Sequence, residues 1–82
     1  MRVTIFTNDN SVIVEGYKNV VDCSLLDEHI SVIQWYGASG EIEFHNNSHI
    51  DNDVKGNEVI TDFAPFQYLV DAWEVEARKD AA

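Results

Sequence analysis

Eighty-two residues, 45% apolar, with two Trp, three Tyr, four Phe and one Pro, fit a single globular domain over 1–82 and exclude a disordered chain. Fifteen carboxylates against five Lys and Arg give a formal charge of −10, which disfavours direct nucleic-acid binding because phosphate backbones repel such a surface. No apolar run approaches membrane-spanning length, Asn8 and Asp9 arrive before any signal-peptide core develops, and the lone Cys23 excludes an internal disulfide and suits a reducing cytoplasm.

Val3–Thr7 is rich in β-branched and aromatic residues and predicts a first strand. Asn8-Asp9-Asn10-Ser11 is a turn cluster, because these side chains bond their own backbone. Val12–Glu15 predicts the second strand, ended by Gly16. Tyr17-Lys18-Asn19 reads as a short connection and Val20–Cys23 as a short third strand with a buried, inert thiol. Ser24 is placed to cap a brief helical turn over Leu25–Glu28.

The clearest element is a β-hairpin within Val32–His45, forming strands four and five. Ile33 and Trp35 alternate with Gln34 and Tyr36, and Ile42 and Phe44 alternate with Glu41 and Glu43. Between them, Gly37 and Gly40 supply the positive φ angles of a tight reversal. One face is apolar; the other carries Tyr36, Glu41, Glu43 and His45. Asn46–Asn57 reads as a polar loop and Glu58–Ile60 as a short extended segment.

A helix follows from Pro65, whose missing N–H costs nothing in a first turn, with Thr61 or Asp62 as a cap. Phe66, Leu69, Val70, Trp73 and Ala77 form its core stripe, Glu74 and Arg78 are spaced for an ion pair, and Arg78 and Lys79 face the negative helix end. The expected fold is α+β: an antiparallel meander of four or five strands packed by one C-terminal helix, with Phe66, Leu69 and Trp73 against Ile5, Val14, Trp35, Ile42 and Phe44.

Three constellations invite chemistry. His45, His49, Asp51 and Asp53 fall within nine residues, and Asp51-Asn52-Asp53-Val54-Lys55-Gly56 echoes the start of a calcium loop. Lys55 has the wrong charge for a ligand position and Asp62 stands where a long bidentate Glu belongs, so no metal site and no cofactor are expected. Glu41 and Glu43 share a strand face at roughly 7 Å, but an exposed face does not raise a carboxyl pKa for acid–base work. With no Gly-rich phosphate loop, Ser-His-Asp set or zinc motif in the chain, no enzyme is expected. Tyr68, Ala72 and Val75 form a second, weaker helix stripe that either packs on the Asn46–Asn57 loop or contacts another chain.

The ordered set Val32-Ile33-Gln34-Trp35-Tyr36-Gly37, Gly40-Glu41-Ile42-Glu43-Phe44, Asn57–Asp62 and Tyr68–Glu74, with Val3–Asp9 and Val20–Ser24 ahead of it, resembles small accessory proteins of tailed bacteriophages and prophages, often encoded among tail-fibre and virion genes. The resemblance spans most of the chain. It carries no catalytic motif, so no residue inherits a role from it. It implies a small non-enzymatic binding protein, acting on phage structural or assembly proteins in the host cytoplasm or incorporated into the virion, with homo-oligomerisation open. The contact surface expected from the residues joins Tyr36, Glu41 and Glu43 to Tyr68 and Val75. The alternative is an acidic inhibitor that binds a host defence or nucleic-acid-processing protein by charge mimicry.

Overall fold

The computed structural model describes residues 1–45 and 56–81. Strands β1 (Val3–Phe6), β2 (Ser11–Val14), β3 (Tyr17–Val20), β4 (Ile30–Trp35), β5 (Gly40–Phe44) and β6 (Glu58–Ile60) form one antiparallel sheet in the order β3-β2-β1-β4-β5-β6. A 3-10 turn at Ala64–Phe66 leads into helix α1 (Gln67–Ala81). The fold is α+β as expected, with six strands where four or five were predicted, because Glu58–Ile60 pairs along β5 as a true edge strand.

Register divides the side chains cleanly. Val14, Val3, Trp35, Gly40 and Ile60 form one row across the sheet, and Val12, Ile5, Ile33 and Ile42 the next. This inner face meets Phe63, Phe66, Leu69 and Val70 in one core. α1 lies across β2 and β3, while Phe63 packs against Trp35 with ring centroids 5.2 Å apart and the rings tilted by 35°. Phe63 was absent from the expected core; it precedes the helix and is drawn under it by the Asp62 carboxylate, which accepts the Ala64 N–H at 3.0 Å. Of the predicted helix stripe, Leu69 and Val70 are fully buried, whereas Trp73 and Ala77 are only half-buried. Trp73 sits over the β3 edge instead: its indole N–H donates to the Tyr17 carbonyl at 2.9 Å, and its own carbonyl accepts from the Asn19 amide at 3.3 Å. The Glu74–Arg78 pair forms at 3.9 Å.

The third strand is a correction. Tyr17–Val20, predicted as a connection, is β3, and only Val20 of the predicted Val20–Cys23 strand belongs to it. The cause is a two-residue reversal at Glu15 and Gly16, with φ of 50° and 85°. Positive φ at both positions is the turn type whose twist suits a hairpin, and it sets Val14 opposite Tyr17. Val21 and Cys23 are buried without strand pairing. Asn10, left-handed at φ 48°, holds them: its carbonyl accepts the Val21 N–H at 2.8 Å and its side-chain oxygen the Cys23 N–H at 3.1 Å. The predicted helical turn over Leu25–Glu28 is replaced by turns, in which Asp22 accepts the Ser24 N–H and Asp27 the His29 N–H, both at 2.8 Å.

The hairpin turn is also refined. Gly37 has the expected positive φ of 110°, but Gly40 does not. Gly40 is required for space: a Cβ there would run into the Gln34 carbonyl oxygen and lie 3.0 Å from the Trp35 ring. The missing side chain leaves the space that the Trp35 ring occupies beside β5.

Candidate functional site

The strand residues that alternate with the core build the opposite, outer face. One row reads Val20, Ser11, Phe6, Val32, Glu43 from β3 to β5; the next reads Lys18, Ile13, Thr4, Gln34, Glu41, Val59 from β3 to β6. Beyond them, Arg2 precedes β1 and Tyr36 follows β4, with the guanidinium 5.7 Å from the Tyr36 ring centroid. No helix among the described residues packs on this face. Phe6, Val20 and Val59 are 38%, 69% and 68% exposed, while Ile13 and Val32 are half-buried by their neighbours. Exposed apolar side chains in adjoining rows, rimmed by charge, mark an interaction surface more often than isolated ones do.

The polar groups here are ordered by one another. The Tyr36 hydroxyl donates to the Gln34 side-chain oxygen at 3.2 Å, and the Gln34 amide donates to the Glu43 carboxylate at 3.0 Å. Glu41 and Glu43 are two residues apart on one strand and project together, roughly 7 Å apart. Arg2 is fixed by its backbone: its carbonyl accepts the Glu15 N–H at 3.0 Å, and its N–H donates to the Glu15 carboxylate at 3.1 Å. Gln34 and Arg2 were not among the expected contact residues. The signal for both was strand parity, which assigns every second residue of β1 and β4 to the face that holds Glu41 and Glu43.

Tyr36, Glu41 and Glu43 are thus brought to one surface. Tyr68 and Val75 are not part of it. They project from α1, which covers the inner face, so the sheet itself lies between the two groups. Tyr68 lies near Cys23 and Asp22; its burial first, then those two groups, push its phenol above the ordinary value. Val75 is exposed on the helix.

A concavity of about 230 Å³ opens between the β1–β2 turn and the β3–β4 connection, with Thr7, Asn10, Cys23, Leu26 and His45 among its walls. Its Thr7 and Asn10 side chains are spent on the fold. The Thr7 hydroxyl is 2.8 Å from the Ile30 carbonyl, and Asn10 holds the Cys23 backbone. Burial, and secondarily the Asp22 carboxylate, raise the Cys23 thiol above its ordinary value, and its S–H points at the Val21 carbonyl at 3.3 Å. A protonated, buried thiol is a poor nucleophile.

Of the four residues considered as metal ligands, His49, Asp51 and Asp53 lie outside the described residues. Within the described residues, no three His, Cys, Asp or Glu side chains converge, and no helix is long and apolar enough to cross a membrane. Comparison with protein-family models, with curated proteins and with solved structures finds no match.

Proposed function

We propose that the protein is a non-catalytic accessory protein of a tailed bacteriophage that binds other proteins in virion or tail structure or assembly, with the outer sheet face as its contact surface. The observation that supports contact is the composition of that face. Phe6, Val20, Ile13 and Val32 offer apolar area beside an ordered Tyr36–Gln34–Glu43 chain, on a sheet side that carries no helix among the described residues. A rigid aromatic beside flanking carboxylates both buries area and selects the charge of the partner's rim. The phage setting is supported by the resemblance carried by the hairpin and helix segments.

The test is capture from phage-infected lysate at low and high salt. Phage structural or assembly proteins should be retained at both. Tyr36→Ala should weaken that capture by more than about 1 kcal/mol, with little change in folding stability. The adjacent Glu41 and Glu43 also support a charge-mimic reading. There, charge reversal at these two positions dominates and salt abolishes binding. Recovery of a host nucleic-acid enzyme only at low salt, with no phage protein retained, would replace the assembly reading with the mimic.

A further inference from the structure

The charges on the outer face are arranged as a self-complementary set. Arg2 and Lys18 lie on the β1 and β3 side, and Glu41 and Glu43 on β5. Two cations stand against these two carboxylates, and the Glu15 carboxylate beside Arg2 has the N-terminal amine 3.9 Å away, so the patch balances on a chain whose formal charge is −10. Lys18 makes no salt bridge among the described residues, whereas Arg78 and Lys79 are each paired along the helix. Apolar side chains lie between the two charged flanks: Phe6 beside Val32 at the centre, Ile13 and Val20 towards β3.

We propose that a second copy of this chain covers this face, stacking sheet on sheet about a two-fold axis that runs along the strands between β1 and β4. The inference rests on the reading of the outer face as a contact surface, with the second copy holding it in the free protein and giving way to the phage partner on binding. That axis divides a six-stranded sheet in half, so the operation places β1 of one copy over β4 of the other, β2 over β5, and β3 over β6. A two-fold interface must be self-complementary, because each patch meets its own copy. Here Phe6 faces the other copy's Val32 and Thr4 faces its Gln34. Arg2 faces Tyr36, repeating between copies the cation-over-ring pairing seen within one. Ile13 faces Glu41 with Lys18 beside it, so each ammonium is within reach of the other copy's carboxylate; Ser11, opposite Glu43, is buried with its hydroxyl on the Asp9 carbonyl and adds no contact. Face-to-face sheets sit about 10 Å apart, a gap that these side chains fill from both sides. The alternation suits a copy with the same order reversed.

The test is sedimentation equilibrium of the purified chain, with a circular-dichroism melt confirming that each variant folds. The wild type should give the mass of a dimer. Phe6→Lys should raise the dissociation constant by at least about tenfold. Lys18→Glu and Glu41→Lys should each weaken association, and the double variant should recover it. Within one copy these residues stand four strands apart, roughly 19 Å, so recovery cannot come from an internal pair. A monomer at all concentrations, with lysate capture still dependent on Tyr36, would overturn the dimer and leave the contact surface intact. Loss of both would remove the surface as well. A dimer indifferent to Phe6→Lys, or single charge reversals that do not compensate each other, would place association elsewhere and overturn the proposal.

Discussion

The two faces of the sheet are made by the same strands, one residue out of step, and they behave as different materials. Val3, Ile5, Val12 and Ile33 are sealed under α1, Phe63 and Phe66, while their neighbours Thr4, Phe6, Ile13 and Val32 reach the opposite side, where no helix of the described residues covers them. The two full rows of the inner face are apolar across β2, β1, β4 and β5, so its energy comes from area removed from water. The outer face alternates apolar, hydroxyl, amide and charged groups, a composition suited to meeting another surface. Stability and recognition are thereby assigned to opposite sides of one layer, and substitutions should sort by parity.

The sharpest test of that division is Leu69→Ala, which removes the most enclosed helix side chain over the inner face. It should cost about 2–5 kcal/mol by chemical denaturation, the range for large-to-small changes in a closed core. A loss near zero would mean that α1 does not seal the sheet. Gly40→Ala acts on the same face from the backbone side. Its Cβ meets the Gln34 carbonyl and Trp35, so β5 must shift at a cost of about 1–3 kcal/mol, seen as a lower denaturation midpoint with an unchanged slope. Trp73→Phe keeps most of the ring contact and deletes the bond to the Tyr17 carbonyl, for about 1 kcal/mol. Hydrogen exchange should speed up in β3 more than in β4 of this variant. On the outer side, Val59→Thr should change stability by no more than about 0.5 kcal/mol, as for a surface position. A larger loss at concentrations where the chain is monomeric would show that the outer face is part of the core after all.

Much of this division was legible in the sequence because alternation is a period-two signal that survives without tertiary information. Ile33, Trp35 and Ile42 were placed inside, and Gln34, Tyr36, Glu41 and Glu43 outside, from that pattern alone. It failed where backbone geometry overrides side-chain chemistry. Glu15 is an unusual occupant of a left-handed turn position, so the Glu15-Gly16 reversal was hidden and β3 was displaced by three residues. Val21 and Cys23 look like strand residues because they are apolar, yet they are buried by a clasp from Asn10, thirteen residues from Cys23. The candidate surface was half legible. Parity groups the hairpin residues correctly, but whether Tyr68 and Val75 join them depends on which side of the sheet the helix takes, and periodicity within either element is silent on that.

The bonds between Trp73 and β3 have a consequence for the order in which the molecule is made. Tyr17 and Asn19 precede Trp73 by 56 and 54 residues, so the first three strands leave the ribosome long before the helix that closes over them. Until then the inner side of β1, β2 and β3 is wet and the edge of β3 is open. Contacts of such separation form late and slowly, because a long stretch of chain must first be brought together. A nascent chain stalled before Gln67 should therefore be protease-sensitive and prone to adhere to its neighbours, and release of the helix should be the event that commits it to the folded state.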